Sequence, residues 1–326
     1  MRRTLSGRTA TVVASRLVAT DIVRIDLEPA DGETAFESGA HIDVELTIGD
    51  RRETRSYSLI PAPAGCLSIA VKREAASRGG SLAMARLAAG DRIAFSGPAN
   101  DFPARFDGRD KLLVAGGIGI TPMLSHARAL AARGEPFRLV YAGRSRADMA
   151  FADDLAAEFG DRLELRVSAE GTRLDPAAEI ARLGADATLW FCGPHRLLDD
   201  LRHAWAAAGR ESLDFRFENF GGHAGETGGS FVVAVPRHGV EVTVPATQSM
   251  LEALEAAGLE LMFDCRRGEC GLCALPVTAV EGGRIVHHDV FFSDHQKAEG
   301  DRICPCVSRL DGGRITVDTS YRPDVI

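Results

Sequence analysis

Cys265, Cys270 and Cys273 stand in the run C-R-R-G-E-C-G-L-C, a C-x4-C-x2-C spacing, and Cys304 and Cys306 follow about thirty residues later. Two irons bridged by two sulfides need four thiolates. Three from one irregular loop and one from a distant segment can surround such a group. Gly268 and Gly271 suit so tight a loop, because glycine accepts left-handed backbone angles. Disulfides and structural zinc are the competing chemistries. The start of the chain, M-R-R-T-L-S-G-R-T, lacks the apolar stretch of a secretory signal, which points to a reducing compartment and away from disulfides. Structural zinc pairs its ligands in short knuckles, which x4 followed at once by x2 does not match. The spacing favours a plant-type [2Fe–2S] centre.

A cluster of that kind stores one electron at a time, whereas nicotinamide delivers a pair as hydride. Something must accept the pair and release it singly, and a flavin is the usual device. Arg55-Ser56-Tyr57-Ser58 ends an expected strand and offers a guanidinium, an aromatic face and hydroxyls. In an extended strand Arg55 and Tyr57 share one face, Ser56 and Ser58 the other. A barrel strand with polar residues turned outward would look the same. Lys72-Arg73 and Arg78-Gly79-Gly80-Ser81 precede a short helix and could cradle a phosphate, or form a plain surface turn. Gly116-Gly117-Ile118-Gly119-Ile120-Thr121-Pro122-Met123 reads as a strand-to-helix turn. Missing side chains there would let a flat ring lie against backbone, yet Pro122 occupies the third-glycine place of the dinucleotide fingerprint, so a structural turn is the alternative. Cys192-Gly193-Pro194 closes another strand facing the same cleft. Cys192 is otherwise a small buried residue, as Cys66 is expected to be.

The elements that must position these groups fall into three stretches. Apolar or alternating runs at Thr9–Val18, Ile22–Glu28, His41–Ile48, Thr54–Ile60, Leu67–Lys72 and Arg92–Ser96, with a helix near Ser81–Ala89, predict an antiparallel barrel. From Lys111–Ala115 onward strands alternate with helices: Phe137–Ala142, Phe151–Phe159, Leu163–Val167, Pro176–Leu183, Thr188–Cys192, His195–Ala208 and Leu213–Phe217. That order predicts a parallel sheet covered on both faces. A glycine-rich joint, Phe220 to Ser230, precedes strands Phe231–Val235 and Val240–Val244 and a helix Gln248–Ala257 with Met250, Leu251, Leu254 and Ala257 on its apolar face. Strands around Ala274–Val280 and Arg314–Val317 complete a small β-rich module.

At 326 residues the chain exceeds one ordinary core. Its apolar content of 45% and charged content of 26% are those of a water-soluble globular protein, and no apolar run reaches membrane-spanning length. Cytoplasm is therefore expected. Between His223 and Ile326 fifteen acidic residues face nine basic ones. Nucleic acid is an unsuited partner for such a surface; a protein with a complementary basic face is suited, although ordinary solvated surface carries the same charges.

R-S-Y-S, S-R-G-G-S, G-G-I-G-I-T-P-M, C-G-P, F-E-N-F-G and the cysteine pattern ending C-V-S-R occur in the order found in the phthalate dioxygenase reductase family, which the chain resembles over nearly its whole length. That family includes the reductase subunits of vanillate O-demethylases. The resemblance implies an FMN-binding barrel (1–107), an NAD-binding α/β domain (108–222) and a plant-type ferredoxin domain of β-grasp form (223–326). It implies that Arg55, Ser56, Tyr57 and Ser58 hold the isoalloxazine, and that Ala70, Val71 and Lys72, with Arg78, Gly79, Gly80 and Ser81, line the ribityl phosphate. Gly116, Gly117, Thr121, Cys192, Gly193 and Pro194 would border the nicotinamide. Phe220 would cover the flavin until nicotinamide displaces it, or serve as a hinge-packing side chain. Tyr57, Ser58, Thr121 and Phe220 are the candidates closest to the reaction. The family's fourth iron ligand directly precedes a V-S-R-like sequence, which selects Cys306 over Cys304.

Arg144 and Arg146 could meet a 2′-phosphate, but Glu170 resembles an acidic residue that binds a ribose, so NADH is the expected donor. Hydride would pass from NADH to FMN, and electrons singly through the cluster to a Rieske-type oxygenase, with the chain a monomer. A cytochrome P450 or small oxidants as acceptor, or a redox sensor that uses the same groups, are the rival expectations.

Overall fold

The structure is a computed structural model and describes residues 7–49, 51–74, 79–220 and 229–319. It divides into two compact units, one running to Glu218 and one from Asn219.

The first unit begins with β1 (Arg8–Ala19), β2 (Ile22–Pro29), β3 (His41–Ile48), β4 (Arg51–Ile60), β5 (Leu67–Lys72), α1 (Gly80–Ala85) and β6 (Arg92–Ala99). The six strands close into an antiparallel barrel in the order β1-β2-β5-β4-β3-β6, as the alternating runs predict. Its core is the inward rows of these strands: Val12, Ile25, Leu27, Ile42, Val44, Leu59, Ile69 and Phe95. Asp26 is a buried exception on β2. Burial opposes its charge, but Ser68 Oγ at 2.5 Å, Arg24 Nε at 2.8 Å and Arg16 at 3.1 Å donate to it, and its carboxyl stays below the ordinary range. A buried carboxylate needs such donors.

The same unit continues with β7 (Lys111–Gly116), α2 (Ile120–Ala132), β8 (Phe137–Gly143), α3 (Ala152–Phe159), β9 (Leu163–Val167), α4 (Pro176–Ala181), β10 (Thr188–Cys192), α5 (His195–Ala207) and β11 (Phe215–Glu218). These form a wholly parallel sheet ordered β11-β10-β7-β8-β9. Every residue of β7 and β10 is buried, as expected of central strands covered on both faces. α4 carries a built N-terminus: Asp175 accepts from the amides of Ala177 and Ala178, and Pro176 needs no amide partner. The outer edge is braced by Glu179, buried, which accepts from Arg138 (2.5 Å), Arg166 (2.6 Å) and Arg182 (3.0 Å).

Barrel and parallel sheet share a core. Ile22, Ile60, Ala70 and Phe102 pack into the cluster built by Leu113, Met123, Leu124, Tyr141 and Trp190. Ser125 Oγ on α2 donates to the main-chain oxygen of Leu59 on β4 at 2.7 Å, and Thr20 donates from its amide and its hydroxyl to Ala147 O.

The second unit contains β12 (Phe231–Val235), β13 (Val240–Val244), α6 (Met250–Ala256), β14 (Leu275–Glu281), β15 (Ile285–Val286), α7 (Asp294–Glu299), β16 (Arg302–Ile303), β17 (Arg309–Leu310) and β18 (Arg314–Val317). A mixed sheet ordered β13-β12-β18-β14-β16 has α6 across it, with Met250, Ala253 and Leu254 in its core. Ser249 and Glu252 cap α6 reciprocally.

Several elements differ from expectation in extent. α1 stops at Ala85 rather than Ala89, because Arg86 and Leu87 close the turn onto Ala83 and Met84. On α6 the buried position is Ala253, and Ala257 lies beyond the helix end, exposed. Cys66, expected to be buried, is half-exposed at the end of a turn closed by its amide on Pro63 O. α7, with its Ser293–Gln296 capping box, was not anticipated. Arg78 and most of the glycine-rich joint lie outside the described residues.

His126 on α2 is fully buried between the edges of Phe102 and Trp190, ring centroids 5.0 and 5.1 Å away. Burial, helped by the Arg216 charge, pushes its pKa down to about 3. In the unfolded chain it titrates at about 6.5. Its contribution is therefore complete above about pH 6.5 and is lost as pH falls towards 3, where only the unfolded state takes the proton. His126→Leu is expected to flatten the fall of melting temperature between pH 7 and pH 4.5. A slope equal to that of the unmodified protein would refute the assignment.

Candidate functional site

The barrel wall opens where the sequence places R-S-Y-S. β4 pairs with β3 along its whole length, from His41↔Ser58 to Ile48↔Arg51, but with β5 only at Leu59↔Ile69 and Ile60↔Ser68. The ladder thus stops just before Tyr57–Ser58 on one strand and Ala70–Lys72 on the other, leaving a slot between them. Ser58 is buried and its Oγ has no partner among the described residues. A buried hydroxyl left unpaired costs about 1–3 kcal/mol, a penalty that a bound polar group would relieve. Tyr57 is half-buried; burial pushes its phenol up to about 12, against the pull of the Arg55 charge.

Arg55 lies on the Tyr57 face and is held by the Glu53 carboxylate and the Thr54 carbonyl (2.9 Å). Glu53 was not among the expected residues; its i−2 spacing on a strand is the signal that could have found it. A Cβ on Gly80 would stand 3.2 Å from Arg55 Nε, so the Gly79-Gly80-Ser81 corner seats directly on this guanidinium. Gly79 has φ +102°, which few side chains tolerate. Ser81 Oγ accepts from the Glu74 amide at 3.1 Å, and Lys72 pairs with Glu74 at 2.5 Å. Ser56 is exposed and donates to Asp43 (2.5 Å), away from the slot's buried wall. The slot, an orphaned hydroxyl, an aromatic wall and a cation beside a glycine corner fit a flavin and its phosphate.

The second group of residues gathers at the carboxyl ends of β7 and β10, where the strand order reverses. Open α/β sheets bind ligands at such a switch point. The glycines here are required by backbone approach. A Cβ on Gly119 would lie 2.1 Å from Cys192 O, one on Gly116 2.6 Å from Pro194 Cδ, and one on Gly193 3.0 Å from Gly116 Cα. Gly117 differs: φ is +55° and nothing lies within 4 Å of its would-be Cβ, so it is the open member of the turn. Thr121 is buried and donates to Ile118 O at 3.1 Å, so its hydroxyl closes the turn. Cys192 is buried as expected. The face is flat, glycine-lined and backbone-rich, which suits a planar ring. Farther along the same strand ends, the Ala169 amide donates to Arg144 O at 2.9 Å, and Arg146 Nε stands 3.8 Å from Glu170 Oε1.

The third group is in the second unit. The loop 265–273 curls around the Cys265 sulfur, which accepts from the amides of Arg267 and Cys270 at 3.4 Å each. Arg266, Gly268 and Gly271 adopt positive φ of 50°, 75° and 70°. Cys273 and Cys306 bring their Sγ atoms to 3.3 Å. Side-chain hydrogen bonding with Cys304 and then Cys306 pulls the Cys273 thiol down to about 4, and the same pairings push the Cys304 and Cys306 thiols up. Cys306 also receives the Gly268 amide and feels the charges of Cys273 and Cys265, whereas Cys304, fully buried, feels Asp289 and the other two thiols of this group. Sulfurs supplied with amide donors, as at Cys265 and Cys306, fit a cluster of thiolate-bound irons. Among the described residues no group of three or more His, Cys, Asp or Glu side chains is arranged to hold a single metal ion, and none of the seven cysteines is in a disulfide.

Asn219 was missed from the sequence. Its amide donates to Glu269 Oε1 at 2.7 Å and its side chain to Arg267 O at 3.3 Å, so Asn219 anchors the cysteine loop. Phe220, next to it, is 38% exposed.

Three family models match in series: an oxidoreductase FAD-binding domain over residues 10–103, an oxidoreductase NAD-binding domain over 113–169 and a 2Fe-2S iron-sulfur cluster binding domain over 233–311. The heme-dependent oxidative N-demethylase beta subunit of Ectopseudomonas mendocina (strain ymp) is 38% identical, covering 87% of this chain and 89% of its own. A vanillate O-demethylase oxidoreductase of Pseudomonas sp. (strain HR199 / DSM 7063) is 35% identical over 94% and 98%. A solved structure of phthalate dioxygenase reductase, modular for electron transfer from pyridine nucleotides to [2Fe–2S], superposes with a TM-score of 0.74 at 31% identity, covering 95% of this chain and 97% of that one.

Replacing Cys306 by Ser is expected to abolish the cluster's visible absorbance, while Cys304→Ser retains it. The reverse pattern would make Cys304 the ligand. The chain belongs to the phthalate dioxygenase reductase family, the NADH-dependent iron–sulfur flavoprotein reductases that carry FMN and a [2Fe–2S] cluster and serve oxygenase systems.

Proposed function

We propose that this reductase feeds a Rieske-type oxygenase, working as a monomer in the cytoplasm, with the three groups of residues above as its sites. The observation that carries the residue assignment is the interrupted β4–β5 ladder, with the orphaned Ser58 hydroxyl on its wall. In this reading Ser58 hydrogen-bonds the flavin ring and Tyr57 walls it. Arg55 and the Gly79–Ser81 corner bind the phosphate, and Ala70 to Lys72 form the far side of the slot. Gly116, Gly117, Cys192, Gly193 and Pro194 give the nicotinamide a flat backbone floor, and Thr121 fixes the shape of that floor. Phe220 serves as the exposed aromatic that nicotinamide displaces. Cys265, Cys270, Cys273 and Cys306 hold the irons. Bound FMN would accept the electron pair of one hydride and release it as single electrons, and a cluster held by these cysteines would pass them on one at a time.

Little acid–base work falls to the chain. Its residues orient rings, bind phosphate and keep water from the slot. The acidic balance of the ferredoxin domain supports an acceptor with a basic docking face. One observation favours a second acceptor class: the N-demethylase relative belongs to a heme-dependent system. Oxygen uptake with a purified Rieske oxygenase and with a heme oxygenase, each at equal reductase, separates the two. Coupling only to the heme enzyme would reject the first. NADH-dependent cytochrome c reduction by the purified chain separates a reductase from a sensor; a fully loaded protein without turnover would overturn the enzyme reading.

For the donor, Glu170 opposes a 2′-phosphate and occupies Arg146. Glu170→Gln is expected to lower the KM for NADPH about tenfold, an effect of about 1.4 kcal/mol, with the KM for NADH rising less. An unchanged NADPH KM would remove Glu170 from the dinucleotide site.

A further inference from the structure

Behind the cysteine loop lies a buried carboxylate that none of the functional readings above uses. Asp289 is fully buried, and three groups donate to it: Ser308 Oγ at 2.8 Å, the Phe292 amide at 3.0 Å and His287 Nδ1 at 3.1 Å. Lys297 Nζ donates to the main-chain oxygen of Asp289 at 2.7 Å. Burial opposes ionisation, yet the His287, Phe292 and Ser308 hydrogen bonds outweigh it, so the group stays charged. A buried anion with this many donors is expensive to assemble, and its location says what it is for.

Two ties connect it to the thiolates. The first runs through Gly268: a Cβ there would meet Asp289 Cα at 2.9 Å, and the Val290 amide donates to Gly268 O at 3.0 Å. The same Gly268 gives its amide to Cys306. The second runs through Ser308, two residues after Cys306. Its hydroxyl donates to Asp289 and accepts from the His288 amide at 3.1 Å. The turn from Cys304 to Ser308 is itself closed by the Val307 and Ser308 amides on Cys304 O. The Asp289 carboxylate therefore holds the turn that carries Cys306, while the backbone at Asp289–Val290 lies against the loop that carries the other three cysteines.

We propose that Asp289 is the positioning residue of the iron–sulfur centre: it locks the Cys306 turn onto the three-cysteine loop and sets a fixed negative charge behind the cluster, lowering the potential at which the cluster accepts an electron. This rests on Cys306 as fourth ligand. In a low-dielectric interior such a charge opposes the arrival of another electron, and second-layer hydrogen bonds fix the geometry of metal-bound sulfur. Asn at this position keeps the shape and removes the charge.

The test is a redox titration of the fully loaded chain followed by EPR, with cluster release to an iron chelator timed in parallel. Asp289→Asn is expected to shift the flavin-to-cluster electron equilibrium about tenfold towards the cluster, about 59 mV for one electron, and to speed chelator release severalfold. Ser308→Ala keeps the charge and cuts one tie; it is expected to speed release with less than half of that shift in potential. An Asp289→Asn protein with the parent's potential and release rate would overturn the proposal, whatever its melting temperature. Should that variant assemble no cluster, Ser308→Ala decides, and a parental release rate then overturns it. A parent chain without a [2Fe–2S] EPR signal would remove the cluster reading itself.

Discussion

The hydrogen bond from Ser125 to the carbonyl of Leu59 is the constraint on which the first unit's chemistry rests. Leu59 directly follows Ser58 on the wall of the slot between β4 and β5, and Ser125 follows Thr121 by about one helical turn. The bond joins the strand that carries the proposed flavin residues to the helix that begins at the glycine turn proposed for nicotinamide. Ile60 and Ala70 reinforce it by packing into the core of the parallel sheet. Hydride transfer needs reacting atoms within about 3–3.5 Å. Two domains meeting through a loose interface would not hold such a distance; a shared core with a buried hydrogen bond does.

The second unit solves a different problem, that of keeping sulfur anions stable inside protein. It does so with backbone amides. Arg267, Gly268 and Cys270 direct theirs at Cys265 and Cys306, and the positive φ of Arg266, Gly268 and Gly271 permits the required curl. Gly271 also gives way to a ring: a Cβ there would stand 2.2 Å from Phe291 Cζ. The loop's particular amino acids matter less than the directions in which its peptide groups point. Asn219 and Glu269 hold those directions from outside, and Asp289 from behind.

Much of this was legible in the chain. Alternation gave the barrel strands within a few residues, because each has one face inward. The apolar runs 112–115 and 189–192 announced strands buried on both sides. C-x4-C-x2-C announced a cluster because spacing and chemistry coincide in one short stretch. What escaped was set by distance in sequence. Asn219 and Glu269 pair across 50 residues, and Ser125 meets Leu59 across 66. No local period encodes such pairings. The expected helix from Ser81 ran too long because Arg86 and Leu87 are good helix formers, whereas their amides tighten onto Ala83 and Met84 three residues back and end it. The glycines at 116, 119 and 193 were read for the ring they could admit, whereas their first duty is to let two turns touch.

That contact has a practical corollary for anyone wishing to retune the enzyme to another reductant. Gly116, Gly119 and Gly193 abut the facing turn and leave no room for a side chain, and at Gly117, where there is room, the φ of +55° strains any residue but glycine. Freedom to vary exists only at the outer strand ends, where Arg146 and Glu170 are each about half exposed. Adaptation to a changed cellular supply of hydride must be written at that rim, leaving the floor beneath the reacting ring untouched.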